Sequence, residues 1–277
     1  MAPIRLLALD LDDTLLRSDL SISYRTRNAI KKAAAAGVTV VLASGRVQAA
    51  MEQYARLLGM HRQRGFLISN NGTVIQESNT GTVVFEARIS GETALKACDL
   101  ADAEGFAVQI YEDDIMYVSR TNEFTSCDQK LTGLRQVVVE NFRAMAGGGC
   151  YEMLIPGDPM LLEPLESILK TYLGDEITLF TSKPYFLEIL PPRIDKGMAL
   201  AKVAELLGIS PEESLAIGDS MNDEAMIRWA GMGVAMANGD ERIKNIAALV
   251  TENTNDDDGV AEVIEKYILK GKGSGHE

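Results

Sequence analysis

LLALDLDDTLL, residues 6–16, is an apolar run that ends in three carboxylates, Asp10, Asp12 and Asp13. Carboxylates this close repel one another, so each has to be hydrated, hydrogen-bonded or paired with a cation. A short apolar run is typical of a buried strand, and this one ends where the carboxylates begin. The strand end is therefore either a solvated rim or a cation site, and the remaining sequence has to distinguish the two.

The composition of the chain is that of a soluble globular protein. With 277 residues, of which 46% are hydrophobic and 24% charged, it is long enough for one large domain or two ordinary ones. The net charge of -13 argues against nucleic acid as a partner, because phosphate backbones are bound by clustered Lys and Arg. A phosphate group stays compatible as a substrate, since a metal ion and a few local cations are enough to attract it.

Cysteine, histidine and apolar patterning narrow the chemistry and the location. Cys98, Cys127 and Cys150 are widely spaced and fit no disulfide framework, and two histidines are too few for a zinc cluster or a histidine-based triad. Asp10 and Asp12 interrupt the first apolar run before a signal peptide could form. No apolar stretch reaches the roughly 20 residues of a membrane span. We therefore expect a cytoplasmic protein with no membrane partner.

Apolar strands alternate with amphipathic helices at both ends of the chain. The early strands are predicted at 4–10, 38–44 and 65–69, with helices at 23–37 and 47–58. The late strands are predicted at 214–219, 231–236 and 247–251, with helices at 198–207, 223–230 and 259–270. This alternation is typical of a parallel sheet that is covered by helices on both faces.

The pattern changes between residues 86 and 192. Short alternating segments typical of antiparallel strands are VVFEARI (83–89), AVQIYED (107–113), IMYVSR (115–120), YEMLIP (151–156) and TLFTSKPYFLEILP (178–191). Two helices are predicted among them, at 91–104 and 159–173. We therefore predict an α/β fold with a discontinuous Rossmann-like core, residues 1–85 and 193–277, and an inserted α+β cap, residues 86–192.

Polar residues follow the predicted strands of the core, where ligands bind in a doubly wound sheet. Asp10 ends the first strand, Ser44-Gly45-Arg46 follows the second, and Asp219 ends a late strand, while Lys196 begins a helix. Asp10 and Asp219 suit Mg²⁺, and Lys196 with the Ser44–Gly45 segment suits phosphate oxygens. Each motif alone is more often an ordinary turn or helix cap. Their convergence on one sheet edge predicts phosphoryl transfer.

The motifs resemble those of the haloacid dehalogenase superfamily, in its Cof-like branch of phosphatases with a large inserted cap. DLDDTL (10–15) resembles the nucleophile motif DxDxT/V, LASGR (42–46) the second motif, DKG (195–197) the lysine motif and GDSMNDEAM (218–226) the acidic motif. SNNGT (69–73) resembles an Asn-Gly turn of this branch. Motif order, spacing and the insertion all match, so the resemblance covers nearly the whole chain.

The resemblance implies a role for each matched residue. Asp10 is expected to be the nucleophile that forms an aspartyl-phosphate, and Asp12 to be the general acid and base. The expected Mg²⁺ ligands are Asp10, Asp219 and the backbone carbonyl of Asp12. The residues expected to bind phosphate or substrate are Leu11, through its backbone amide, Ser44, Gly45, Lys196 and Asn222. The residues expected to support them are Thr14, Asn71 and Asp223.

Other polar residues keep two interpretations at this stage. Arg46 either faces the leaving group or pairs with a neighbouring carboxylate. Glu188 either points toward the active site or is an outward polar position on an alternating strand. Tyr111 is predicted to pack within its strand, and Asp13 is given no catalytic role.

The predicted function is Mg²⁺-dependent hydrolysis of small phosphorylated metabolites, sugar phosphates among them. The cap over the site argues against large phosphoproteins.

A phosphomutase of the same superfamily is the nearest alternative, because it shares the nucleophile and the acid/base pair. A receiver-like signalling module is a second alternative, although such modules are shorter and lack a cap. A catalytically silent binding protein would be favoured if one motif member were missing, and none is. Dehalogenation needs no Mg²⁺, so the intact acidic motif argues against it. The sequence predicts no oligomeric state.

Overall fold

The computed structural model describes residues 2–112 and 115–270, which form two β-sheets with flanking helices. The strands are β1 (Leu6–Asp10), β2 (Thr39–Ala43), β3 (Phe66–Ser69), β4 (Val74–Glu77), β5 (Val83–Glu86), β6 (Gln109–Glu112), β7 (Ile115–Val118), β8 (Arg135–Val138), β9 (Met153–Pro156), β10 (Thr178–Lys183), β11 (Phe186–Leu190), β12 (Ser214–Gly218), β13 (Met232–Ala235) and β14 (Leu249–Val250). The helices are α1 (Tyr24–Ala35), α2 (Gln48–Leu58), α3 (Gly91–Ala103), α4 (Glu123–Thr132), α5 (Phe142–Ala146), α6 (Pro159–Leu173), α7 (Lys196–Leu207), α8 (Glu224–Trp229), α9 (Glu241–Ile246) and α10 (Gly259–Ile264).

The first sheet has eight strands in the order β14-β13-β12-β1-β2-β3-β4-β5. The strands from β14 to β3 are parallel, as predicted, and β1 lies near the centre with all five of its residues buried. The β4–β5 hairpin then extends the edge in antiparallel fashion. VVFEARI (83–89) was grouped with the strands of the insertion, and this was wrong for residues 83–86. These residues form β5, which a short loop folds back onto β4 in the eight-stranded sheet.

Alternating residues of β1 pack against helices on opposite faces of the eight-stranded sheet. Leu7 and Leu9 belong to a cluster with apolar residues of α1, α2 and α10. Leu6 and Ala8 belong to another cluster with apolar residues of α7 and α8. A strand covered on both faces has no polar side, which explains why its sequence is continuously apolar up to Asp10.

The second sheet has six strands in the order β10-β11-β9-β6-β7-β8. It is antiparallel except for β7 and β8, which run parallel and are joined through α4. Helices α3, α5 and α6 share one apolar cluster with this sheet, so they cover one of its faces. The sequence analysis predicts no element between residues 121 and 150, where α4, β8 and α5 form. These three elements have only four to ten residues, so their apolar periodicity is weak.

The described part of the chain contains no helix that is both long enough and apolar enough to cross a membrane.

Gly72 lets the turn after β3 approach the beginning of α7. Its φ is +112°, and a Cβ atom there would lie 2.5 Å from the carbonyl oxygen of Asp195. Asp195 caps α7 by accepting a hydrogen bond of 2.7 Å from the backbone N–H of Met198. The turn after β3 and the first residue of α7, Lys196, are therefore held side by side.

We expect Gly72→Ala to destabilise the protein by about 3 kcal/mol, because the methyl group clashes with backbone and the positive φ is strained. Urea denaturation measures the loss. Gly105→Ala is the matched control, since φ is +80° and no atom lies within 4 Å of the added Cβ. It should cost only about 1 kcal/mol. Equal losses for the two variants would show that the close approach is unimportant.

Candidate active site

Parallel strands bring the predicted site residues to one edge of the eight-stranded sheet. Because β12, β1, β2 and β3 are neighbours, the residues at their carboxyl ends meet there. They line a cavity of about 350 Å³. The predicted residues that line it are Asp10, Asp12, Ser44, Gly45, Arg46, Asn71, Glu188, Asp219 and Asn222. Leu11, Thr14, Lys196 and Asp223 are not among the lining residues, and all four are buried.

Lys196 is fully buried between two carboxylates. Its Nζ donates hydrogen bonds of 2.6 Å to Oδ1 of Asp10 and 2.7 Å to Oδ1 of Asp223. Burial lowers the pKa of this ammonium group, but the carboxylates of Asp10 and then Asp223 outweigh burial and raise it above its ordinary value. Lys196 therefore stays protonated and fixes the orientation of Asp10.

Asp223 links Lys196 to the loop after β12. Its second oxygen, Oδ2, accepts hydrogen bonds from the backbone N–H groups of Asp219 (3.0 Å) and Ser220 (3.2 Å). Both oxygens of Asp223 are thus engaged by protein donors. The loop that carries Asp219 is consequently held at a fixed position relative to Lys196 and Asp10.

The geometry of three carboxylates suits a divalent cation. Oxygen atoms of Asp10, Asp219 and Asp223 lie within 4.8 Å of one another. Asp219 accepts a hydrogen bond of 3.0 Å from the Thr14 hydroxyl. Burial, and then the Asp223 carboxylate, raise the pKa of Asp219 to about 7, so Lys196 alone does not balance the cluster. Because Asp223 is already engaged, Asp10 and Asp219 are the side chains that fit Mg²⁺, a cation that prefers oxygen ligands.

Arg46 holds Asp12 at the side of the cavity. The guanidinium group donates two hydrogen bonds to the carboxylate, of 2.6 Å to Oδ1 and 2.8 Å to Oδ2. The Arg46 side chain is only 14% exposed, whereas that of Asp12 is 48% exposed. The backbone N–H of Arg46 also donates to the Ser44 hydroxyl at 3.1 Å. Of the two positions considered for Arg46, the structure shows pairing with a carboxylate.

Asn71 connects the two sheets across the cavity. Its Nδ2 donates hydrogen bonds of 2.9 Å to Oε1 of Glu152 and 2.7 Å to Oε2 of Glu188. Its Oδ1 accepts a hydrogen bond of 3.1 Å from Nδ2 of Asn222. Glu188 therefore points into the cavity. Glu152, which precedes β9, was missed, because a lone Glu in an alternating segment is usually a solvent-facing residue.

Two further residues line the cavity on the side of the six-stranded sheet, and the sequence analysis assigned neither of them to the site. Asp128, on α4, accepts hydrogen bonds of 2.6 Å from the Tyr111 hydroxyl and 2.8 Å from Nε2 of Gln109. Tyr111 and Asp128 both line the cavity. Tyr111, which was predicted to pack within its strand, therefore also contributes to the cavity.

The cavity has two sides, which belong to different sheets. We call the side formed by the eight-stranded sheet the floor, and the opposite side the roof. The floor consists of Asp10, Asp12, Ser44 and Asp219, and the roof consists of Tyr111, Asp128, Glu152 and Glu188.

The chain belongs to the haloacid dehalogenase-like hydrolases, because a sequence profile of that family matches residues 7–264. It is thus a hydrolase, and the predicted family and fold class are confirmed. A crystal structure of a haloacid dehalogenase-like hydrolase from Bacteroides thetaiotaomicron is similar, with a TM-score of 0.85, 34% identity, and coverage of 95% of this chain and 99% of that one.

Two proteins of Bacillus subtilis (strain 168) are similar over nearly the whole of this chain. A 5-amino-6-(5-phospho-D-ribitylamino)uracil phosphatase is 34% identical over 271 residues, which cover 96% of each chain. A second protein, named as a phosphatase, is 30% identical over 293 residues, which cover 96% of this chain and all of that one.

We expect Lys196→Ala to destabilise the protein by about 3–5 kcal/mol, because two buried carboxylates lose their cation. The loss should grow between about pH 5 and pH 8. Burial and then the Asp223 carboxylate raise the folded-state pKa of Asp10 well above 3.8. Lys196 lowers that pKa, so its removal raises it further, and the variant loses more stability than the parent protein as pH rises.

Urea denaturation at the two pH values measures both effects. Lys202→Ala, on the same helix, is the control. Nζ of Lys202 lies 4.7 Å from the centre of the Phe85 ring, so the variant loses a cation–π contact rather than buried ion pairs. It should cost less than about 1 kcal/mol, with no pH dependence. A Lys196 variant as stable as this control would contradict the importance of the buried ion pairs.

Proposed function

We propose that this hydrolase is a Mg²⁺-dependent phosphatase of small phosphorylated metabolites, sugar phosphates among them, and that it acts through an aspartyl-phosphate on Asp10. The observation that carries the proposal is the Asp10 carboxylate, which is oriented by Lys196 at the floor of a cavity and lies beside Asp219. The phosphatases named among the similar proteins support the same reaction.

We also propose that the chain divides into a core, residues 1–85 and 193–277, and a cap, residues 86–192. The last seven residues of this core, 271–277, lie outside the described part of the chain. The core would supply the floor and the cap the roof, so that the leaving group of the substrate is enclosed between them. Such enclosure excludes water from the first chemical step.

The phosphoryl group would bind at the floor. The Ser44 hydroxyl, the backbone N–H groups of Leu11 and Gly45, the Asn222 amide and the Lys196 ammonium are the proposed donors to its oxygens. Two of the three Lys196 N–H donors are engaged by Asp10 and Asp223, which leaves one. Mg²⁺, when held by Asp10, Asp219 and the backbone carbonyl of Asp12, supplies positive charge that stabilises the phosphoryl oxygens.

In the first half-reaction, a carboxylate oxygen of Asp10 attacks phosphorus, and the bond from phosphorus to the leaving oxygen breaks. Asp12 gives its proton to that oxygen, so the product alcohol leaves uncharged. Proton donation requires Asp12 to exchange its hydrogen bonds with Arg46 for one to the leaving oxygen. The considerable exposure of the Asp12 side chain leaves room for this movement.

In the second half-reaction, Asp12 takes a proton from a water molecule whose oxygen attacks phosphorus. The bond between phosphorus and the Asp10 oxygen breaks, inorganic phosphate is released, and Asp10 is again a carboxylate. Asp12 keeps the proton for the next leaving group. The pairing with Arg46 seen in the structure holds the Asp12 carboxylate at the side of the cavity between these steps.

Removal of Mg²⁺ should abolish turnover and lower thermal stability. We expect excess chelator to reduce hydrolysis of p-nitrophenyl phosphate by at least about 10²-fold, and added Mg²⁺ to raise the melting temperature. Asp219→Asn should lose most of this Mg²⁺-dependent thermal shift. Asp175→Asn, an exposed change, should keep it. Full turnover in chelator would disprove the metal requirement.

Asp12→Asn should keep Mg²⁺ binding, because the proposed ligand is its backbone carbonyl, but lose about 10²–10⁴ in turnover. With an activated phosphoryl donor, whose leaving group needs no acid, this variant should accumulate phosphorylated Asp10. Mass spectrometry of the quenched protein detects the adduct.

Asp13→Asn is the neighbouring control, because Asp13 is exposed and its φ of 57° suits asparagine. It should turn over like the parent protein. Turnover of Asp12→Asn at the parent rate would remove its acid and base role. A parent protein that retains the phosphoryl group for minutes would favour the receiver-like alternative.

A further inference from the structure

The roof is formed by the polar face of the six-stranded sheet. Along β9 and β11, alternate residues point to opposite faces. Met153, Ile155, Leu187 and Ile189 pack in the cluster with α3, α5 and α6. The residues between them and just before β9 line the cavity instead, namely Glu152, Leu154, Phe186 and Glu188. Strand alternation thus directs two carboxyl groups at the substrate space.

These carboxyl groups are buried without a cation. Glu152, Glu188 and Asp128 are only 3%, 5% and 4% exposed. Among the described residues, no Lys or Arg nitrogen lies within 4.0 Å of any of them. Their donors are neutral groups, namely the amides of Asn71 and Gln109 and the Tyr111 hydroxyl. Buried carboxylates are usually paired, so an unpaired set of three requires an explanation.

The pair formed by Glu152 and Glu188 has an unfilled acceptor. A single Asn71 amide serves both carboxyl groups, and Oε2 of Glu152 accepts no hydrogen bond from an N–H or O–H group of the described chain. Burial, and then the Glu188 carboxylate, raise the pKa of Glu152 well above its ordinary value. A donor that arrives in the cavity would therefore gain hydrogen bonds that the protein itself does not supply.

The two sides of the cavity differ in their cations. Lys196 contacts Asp10 and Arg46 contacts Asp12, and together with the proposed Mg²⁺ they would suit the phosphoryl group at the floor. Arg17 and Lys183 also line the cavity, but neither is buried. The carboxyl groups of the roof would repel a second anionic group and attract hydroxyl or ammonium donors.

We propose that Glu152 and Glu188 are specificity-determining residues that accept hydrogen bonds from hydroxyl or ammonium groups of the leaving group. The preferred substrates are then phosphate monoesters of polyols or amino alcohols, and phosphorylated hydroxy acids are rejected. This inference rests on the phosphatase function proposed above and specifies its substrate class.

Two matched pairs of esters test the inference on the unaltered protein. Sorbitol 6-phosphate and 6-phosphogluconate differ only in a terminal CH₂OH group against a carboxylate, and glycerol 3-phosphate and 3-phosphoglycerate form a shorter pair. We expect kcat/KM to favour the alcohol by about 10²-fold or more in at least one pair, since a carboxylate of the substrate would leave the buried Oε2 of Glu152 without a donor. Equal values in both pairs, or a preference for the acids, would overturn the inference.

Glu188→Gln and Glu152→Gln test whether the two carboxyl groups cause the preference. Each keeps the shape but replaces a carboxyl oxygen with an NH₂ group that cannot accept a hydrogen bond, so the alcohol-to-acid ratio of kcat/KM should fall by about tenfold or more. Glu163→Gln, the same change at an exposed position of α6, should leave the ratio unaltered. A parallel loss for alcohol and acid esters would mean that the pair is only structural, and would overturn the inference.

Hydrolysis of p-nitrophenyl phosphate separates the two proposals, because this ester has no hydroxyl or ammonium donor. If the protein hydrolyses it but shows no preference for the alcohols, the inference about Glu152 and Glu188 fails and the phosphatase function stands. If none of the esters is hydrolysed in the presence of Mg²⁺, the phosphatase function fails, and the inference fails with it.

Discussion

The buried ammonium group of Lys196 is the contact on which the site depends. It joins the end of β1, through Asp10, to the loop after β12, through Asp223, and it begins α7. A buried charge is tolerated only when its partners are correctly placed, so the two ion pairs fix three distant segments of the chain. The close approach at Gly72 adds the turn after β3 to this arrangement. The Asp10 carboxylate, the proposed nucleophile, is therefore oriented by the protein itself.

A second constraint is that cations pair with the carboxylates on the floor side and not with those of the roof. Lys196 and Arg46 contact Asp10 and Asp12, whereas the donors to the three buried carboxyl groups of the roof are neutral groups. Asn71 lies between floor and roof, since it donates to Glu152 and Glu188 and accepts from Asn222. Asn71 thus positions Asn222, which is proposed to bind phosphate. It also positions Glu152 and Glu188, which are proposed to accept hydrogen bonds from the leaving group. Any movement of the roof relative to the floor would have to break these hydrogen bonds.

The sequence predicted the parallel part of the fold well, because strands buried on both faces are continuous apolar runs. β1 and β12 are of this kind; β1 ends at Asp10, and β12 ends directly before Asp219. The edge hairpin of β4 and β5 was not recognised as part of the same sheet, since β4 has only four residues and β5 is largely exposed. α4, α5 and β8 were missed because short elements with polar surfaces depend on tertiary packing rather than on a strong local pattern.

The floor was predicted for a related reason: its residues follow strands whose order places their ends together. The roof residues have no such local signal, because Glu152 and Tyr111 lie within segments that alternate between polar and apolar, and Asp128 lies on the unpredicted helix α4. Alternation shows that a strand has two different faces, but not which one meets water. Here the apolar face meets α3, α5 and α6, and the polar face meets a cavity. A polar residue on such a strand is buried beside the substrate space, and only the packing of one sheet over the other reveals it.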